Sequence, residues 1–188
     1  DEVQSGFCRT GKMFASEYWK EAGCAPDILA TAKSIAAGMP LSAVVTRAEI
    51  MDAVPGGTIG GTYCGNAMSC AASLKAIELM EKEHLADRAQ EIGKKVTARY
   101  KKIQESCEQI GDVRGLGAMI GLEFVKDKEG KEPYPELVKN VVQECAANGL
   151  LVESAGIYGN VIRFLAPLVI TDAQLEAGLD IMEKAIRT

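Results

Sequence analysis

Pro26-Asp27-Ile28-Leu29-Ala30-Thr31-Ala32-Lys33-Ser34 sets a turn signal, a short apolar run and a lysine end to end. Ala25-Pro26-Asp27 marks a turn, and Ile28-Leu29-Ala30 after it reads as a short buried strand. Lys33 then falls at the end of a buried strand, where its ammonium is costly to desolvate. Burial there would favour the neutral amine, the form that attacks a carbonyl. A lysine that snorkels to water or pairs with an acid accounts for the same pattern. The next turn signal, Gly38-Met39-Pro40, precedes Ser42-Ala43-Val44-Val45-Thr46, which reads as a second short buried strand.

Downstream, Pro55 to Gly61 is a glycine-rich loop, and Asn66 stands as the N-cap of a helix patterned by Met68, Ala71, Leu74, Ile77 and Met80. A second helix carries Leu85, Ala89, Ile92, Val96, Tyr100 and Ile103 as one apolar stripe. Its paired lysines Lys94-Lys95 and Lys101-Lys102 read as the wet face. After Cys107 the period changes. Ala118 to Val125 alternates as a strand with Ile120, Leu122 and Phe124 on one face. Pro135 opens a helix closed by Asn148-Gly149. Leu150-Leu151-Val152 and Val161 to Leu165 read as two more strands. A capping box at Thr171 to Gln174 starts a last helix that turns Leu175, Leu179, Met182 and Ile186 inward. Strand, helix, two strands and helix make a compact α+β unit, so the chain divides near residue 107.

The 188 residues are 47% hydrophobic and 25% charged, with a formal charge of −5, as in ordinary soluble globular proteins. A weakly acidic chain without a basic tract is a poor nucleic-acid binder, and no apolar run approaches the ~20 residues that span a bilayer. The sequence therefore reads as cytoplasmic, with neither nucleic acid nor membrane as a partner. Six scattered cysteines form no C-x-x-C and suit small buried hydrophobes in a reducing compartment. A single histidine, His84, removes the usual zinc clusters, so no metal site is expected. The opening Asp1-Glu2, without an initiator Met, reads as a chain cut from something longer.

Three further segments could carry chemistry. Asp1-Glu2-Val3-Gln4 offers two carboxylates and an amide, although acids at a terminus are usually just solvated. Gly56-Gly57-Thr58-Ile59-Gly60-Gly61-Thr62-Tyr63 has the make-up of an anion-binding loop, with converging backbone N–H groups and the Thr62 hydroxyl. It has the order of neither a P-loop nor a dinucleotide fingerprint, and most such loops are only turns. Arg163, inside an apolar strand, suits a bidentate grip on a carboxylate or, equally, a cross-strand ion pair.

Taken in order, five segments resemble the class III aminotransferases of pyridoxal-phosphate fold type I. They are Asp1 to Gly11, Pro26 to Ser34, Gly60-Gly61-Thr62-Tyr63-Cys64-Gly65-Asn66, Gly111 to Gly117, and Asn160-Val161-Ile162-Arg163. The wording is closest to the γ-aminobutyrate branch. The resemblance implies an α/β fold: the C-terminal part of the large, cofactor-binding domain over residues 1–82, a connecting helix over 83–107 and a small α+β domain over 108–188. It implies pyridoxal 5'-phosphate as cofactor, with Lys33 forming the Schiff base and shuttling the proton. Asp1 would pair with the pyridine nitrogen, Gln4 with the phenolic oxygen, and Thr62 with phosphate, usually that of the neighbouring subunit in a homodimer. Arg163 would hold the carboxylate of the amino or oxo acid. The implied reaction moves an amino group from an ω-amino acid of the 4-aminobutyrate type to 2-oxoglutarate. Another acceptor or donor of the same class, an aminomutase, and a non-catalytic fragment are the alternatives. Cys8, Ala37 and Ser42 depart from the family at positions often glycine there. The resemblance also implies a missing N-terminal half, which would leave residues 1–65 with exposed apolar strand faces and the isolated chain inactive.

Overall fold

A computed structural model describes residues 1–20 and 22–188, and the architecture is mixed α/β. It forms two compact units, Asp1–Arg88 and Ala89–Thr188.

The first unit holds α1 (Ser16–Lys20), β1 (Ile28–Thr31), a 3-10 turn over Lys33–Ala36, β2 (Ala43–Thr46), α2 (Ala48–Met51) and α3 (Ala67–Lys82). The strands pair with each other, antiparallel, with Ile28 opposite Thr46 and Thr31 opposite Ala43. Both expected strands exist, but they are not buried: Ile28, Val44 and Val45 are 56%, 48% and 57% exposed. A two-stranded ribbon has nothing among the described residues to cover its outer face. Its small core gathers Phe7, Ile35 and Ala36 with Met13, Phe14, Leu41, Ile77 and Met80. Phe7 and Phe14 meet edge to face at 5.3 Å. Asn66 caps α3 as its sequence foretold, its Oδ1 accepting from the Ser69 N–H at 3.1 Å. The apolar pattern of that helix is divided, however. Ser69, Ser73 and Ala76 are buried while Met68 and Leu74 are 69% and 73% exposed.

The helix α4 (Leu85–Ser106) starts before the division and continues into the second unit, where β3 (Ile110–Leu116), β4 (Met119–Phe124), α5 (Pro135–Ala147), β5 (Glu153–Ala155), β6 (Val161–Phe164) and α6 (Asp172–Arg187) follow. The antiparallel sheet runs β3-β4-β6-β5. Ile120, Leu122 and Phe124 share the buried face with Ile162, and α5 packs on β4, β5, β6 and α6. The stripe of α4 is buried from Ala89 to Ile103, and α6 buries Leu175, Leu179, Met182 and Ile186 beneath a complete capping box. Across the rim, Lys95 meets Asp172 at 2.7 Å, and Arg99 reaches Glu176, Asp180 and Glu183.

Two elements depart from expectation. β3 is a strand that the sequence hides, because Gly111, Asp112 and Gly115 lower its propensity and pairing with β4 decides the matter. Leu150-Leu151-Val152 is not a strand; β5 begins three residues on at Glu153, and Leu151 is 89% exposed. Asn148 N–H and Gly149 N–H still close the α5 C-terminus, and Leu150 N–H donates to the Cys145 carbonyl.

Gly93 marks the closest approach in the second unit. A Cβ there would sit 2.1 Å from the Gly117 carbonyl oxygen in the β3–β4 turn. Glycine to alanine inside a helix ordinarily gains about 1 kcal/mol. Here the added methyl meets backbone that cannot rotate away, and overpacking costs roughly 1–3 kcal/mol or more. Gly93→Ala is expected to lower stability in urea unfolding despite its better helix propensity.

Candidate functional site

The first ten residues fold as successive turns around Glu2, not Asp1. Glu2 is 3% exposed. Its carboxylate accepts from Ser5 Oγ at 2.5 Å, from the Ala15 N–H at 3.1 Å and from the Ser16 N–H at 2.7 Å. The last two donors open α1, so Glu2 serves as a cap supplied from a distant part of the chain. Its own N–H donates to the Ala30 carbonyl at 2.8 Å, which lays the N-terminal segment beside β1. Burial alone would raise the Glu2 pKa, but the hydrogen bonds from Ser5, Ser16 and Ala15 together hold it below the ordinary carboxylate range. Sequence reading treated Glu2 only as one of two terminal acids. The signal available was Ser5 three residues on and an uncapped helix start at Ser16.

Asp1 is exposed and accepts the Val3 N–H on Oδ1 at 2.9 Å. Gln4 is half-buried in the same turns. Through the bond from Glu2 to Ala30, this carboxylate and amide are carried on a segment tied to the strand that leads to Lys33.

Lys33 is exposed, and the desolvated setting expected for it at the end of a buried strand is not found in this chain. Its backbone is the informative part. Lys33 has φ +46, a left-handed conformation that costs a side-chain-bearing residue about 1–2 kcal/mol. Ile35 and Ala36, the residues just after it, plunge into the small core, and α3 packs on the same turn. That anchoring forces the bend and leaves the Lys33 side chain outside. Phe7, Cys8 and Ala37 share positive φ, so four of the six such non-glycine residues described lie in the segments that carry the candidate site. Strain of this kind persists where surrounding packing over-determines it, and it gathers at functional sites. Ala37 and Cys8 thus stand in conformations that suit the glycine their positions often carry in the resembled family. Thr31, the last residue of β1, keeps a buried Oγ1 without a hydrogen-bond partner among the described residues.

Thr62 lies in an exposed loop, in a turn closed by the Cys64 N–H donating to the Gly61 carbonyl at 3.0 Å. The loop leads directly into the capped N-terminus of α3. Tyr63 and Ile59 on it are 84% and 59% exposed.

Arg163 belongs to the second unit. Asn160, 2% exposed, fixes the start of β6: its Nδ2 donates to the Phe124 carbonyl at 2.8 Å, and its own carbonyl accepts from the Phe124 N–H at 2.7 Å. Arg163 then pairs directly with Gly121 on β4 and Glu153 on β5. Its Nη2 lies 3.4 Å from Glu153 Oε2, so the cross-strand ion pair is formed. Arg163 and Glu153 border a cleft of about 400 Å³ whose walls include Leu151, Phe164, Leu175 and Leu179. Glu153 escaped notice because the strand was expected to end before it.

The six cysteines are free, with Cys8 and Cys145 buried and Cys24 and Cys64 exposed. Among the described residues no group of His, Cys, Asp and Glu could hold a metal ion, and no helix is long and apolar enough to cross a membrane.

Glu2→Gln is expected to cost about 1.5–3 kcal/mol at neutral pH, the range for hydrogen bonds to a charged group. A lowered folded-state pKa means that this contribution is fully present above the unfolded value near ~4.3 and fades as pH falls through the folded value. Unfolding curves of the two proteins should therefore converge in acid; a difference that persists there would assign the loss to packing rather than charge.

The family model for aminotransferase class III matches residues 1–186. A probable 4-aminobutyrate aminotransferase of Bacillus subtilis is 44% identical over 187 residues, covering 100% of this chain and 42% of that protein. A 5-aminovalerate aminotransferase of Pseudomonas aeruginosa is 45% identical over 182 residues, covering 97% of this chain and 42% of that protein. The crystal structure of an amine transaminase from an uncultivated Pseudomonas species, in a PLP-bound form, superposes with a TM-score of 0.88 at 32% identity. That match covers 99% of this chain and 43% of the other. The chain thus spans about two fifths of the length of the curated relatives it matches.

Proposed function

The chain belongs to the class-III aminotransferase family, and we propose that it supplies the lysine-bearing part of a pyridoxal-phosphate site and the substrate-carboxylate grip of an ω-amino acid transaminase. In this reading residues 1–82 are part of the large domain, 83–107 the connecting helix and 108–188 the small domain. The observation that carries it is the strained, core-anchored turn that presents Lys33, with the Asp1 segment bonded alongside β1.

The donor set fits the cofactor: an amine at Lys33 for an aldehyde, a carboxylate at Asp1 for a ring nitrogen, an amide at Gln4 for a phenolic oxygen and a hydroxyl at Thr62 for phosphate. When bound, pyridoxal phosphate supplies an electrophilic carbon and a ring that takes up carbanion charge. Lys33 Nζ would be the amine that holds it and the group that moves a proton at the substrate carbon. Asp1 would pair with the ring nitrogen and favour its protonated form. Arg163, whose guanidinium suits a bidentate grip, would hold the carboxylate of the amino or oxo acid.

The amino donor is an ω-amino acid of four or five carbons, since relatives named for each stand at nearly equal identity, and the acceptor is a 2-oxo acid, 2-oxoglutarate first. Exposed Ile59, Tyr63, Met68 and Leu74 around the Thr62 loop and the face of α3 suit burial against a second copy, in a homodimer that completes the phosphate site.

In the full-length protein, borohydride reduction after addition of pyridoxal phosphate should fix one adduct, on Lys33, seen by peptide mass mapping. Lys33→Ala should lose that adduct and transaminate at least about 10³-fold more slowly. A specific adduct elsewhere, or full activity in the variant, overturns the assignment. Kinetics with 4-aminobutyrate and 5-aminovalerate as alternative donors separate the two chain lengths.

A further inference from the structure

Glu2 is fixed at its backbone and at its side chain alike. Its N–H donates to the Ala30 carbonyl at 2.8 Å, and its own carbonyl accepts from the Gly6 N–H at 3.1 Å. Its carboxylate takes the Ala15 and Ser16 N–H groups at 3.1 and 2.7 Å and Ser5 Oγ at 2.5 Å. The turn closes tightly, since a Cβ on Gly6 would stand 2.8 Å from the Glu2 carbonyl oxygen and 3.3 Å from the Phe14 ring. Glu2 is 3% exposed, so water barely competes for these donors. The two groups with the most telling chemistry lie on either side of it. Asp1 precedes it, with a carboxylate oriented by the Val3 N–H at 2.9 Å. Ser5 Oγ also lies 3.4 Å from the Asp1 carbonyl oxygen, so one hydroxyl braces both acidic residues. Lys33 stands three residues beyond Ala30, past the end of β1 and in the strained turn.

We propose that Glu2 is a positioning residue for the cofactor: it sets the Asp1 carboxylate relative to Lys33, its own carboxylate being occupied at the start of α1. The inference rests on the reading of Asp1 as the partner of the pyridine nitrogen. Pyridoxal phosphate is a rigid ring whose nitrogen lies opposite the aldehyde-bearing carbon. An acid at one end and an amine at the other engage it together only at one separation. Asp1 and Lys33 belong to different segments of chain, and the bond from Glu2 N–H to the Ala30 carbonyl joins those segments. A single backbone bond at the edge of a two-stranded ribbon frays easily. The buried carboxylate pins it, because Glu2 cannot slip along β1 without also releasing the Ala15 and Ser16 N–H groups. Small displacements matter here, since a misplacement of ~1 Å can cost a reaction 10²-fold in rate.

The test uses the full-length protein with pyridoxal phosphate and reads cofactor affinity by equilibrium dialysis and the pH midpoint of the visible absorbance of the Lys33-bound cofactor. A ring nitrogen deprived of its acid partner gives up its proton, and the nitrogen that joins Lys33 to the cofactor then keeps its own proton to higher pH. Asp1→Asn should therefore move the spectral midpoint upward, and Glu2→Gln should move it the same way by less. In Glu2→Gln the cofactor Kd should rise roughly tenfold, and kcat should fall roughly 10- to 100-fold with KM little changed. Because Glu2 acts through Asp1, adding Glu2→Gln to Asp1→Asn should shift the midpoint no further. Ser5→Ala, which keeps both carboxylates, should show a smaller upward shift, and it takes the place of Glu2→Gln should that variant not fold. A wild-type midpoint in the folded variant, or shifts that add in the double variant, refutes the positioning role and leaves that of Asp1 standing. An unmoved midpoint in Asp1→Asn overturns the reading of Asp1 and the inference with it.

Discussion

Glu2 takes three hydrogen bonds on a carboxylate that water barely reaches, while its backbone N–H is given to the Ala30 carbonyl. A buried carboxylate is tolerated only when its charge is matched by donors, and here two of the three donors are the orphan N–H groups at the start of α1. One residue, through its side chain and its backbone N–H, therefore ties the turns of residues 1–10, the start of α1 and the edge of β1 into a single arrangement. Everything proposed for Asp1, Gln4 and Lys33 depends on it, because it is the contact that sets the N-terminal segment against the strand leading to the lysine.

Lys33 illustrates how a fold can leave an amine in water. Its exposure does not come from a polar neighbourhood but from the burial of Ile35 and Ala36 just behind it. Two apolar residues driven into a core force the preceding backbone into a left-handed turn, and the amine is left outside. The exposed strands Ile28 and Val44-Val45, and the exposed Met68 and Leu74 on α3, belong to the same account. These are apolar surfaces of a kind that proteins cover, and a family whose members are more than twice this length offers the means.

In the second unit Arg114 on β3 and Arg163 on β6 both stand in register with Gly121 of β4, on the sheet face opposite the buried Leu122 and Ile162. Arg114, matched by Asp112 and Glu123, is a strut between strands. Arg163 meets the edge carboxylate of Glu153 across the strand pair at 3.4 Å.

Periodicity and capping are local properties, and they settled much by themselves: the Asn66 cap, the buried stripe of α4, the inward face of β4, the capping box and inward face of α6, and the order of motifs that marks the family. Pairing and burial are not local. β3 became a strand because β4 lay beside it, β5 started at Glu153 instead of Leu150, and two strands with buried-type sequences came out exposed because a ribbon of two cannot cover itself. The same division runs through the site. Lys33, Asp1, Gln4, Thr62 and Arg163 were legible as residue types at telling positions. The anchoring role of Glu2 and the opposition of Glu153 to Arg163 were not, because each joins positions that only the folded backbone brings together: thirteen and fourteen residues apart in the first case, and ten in the second.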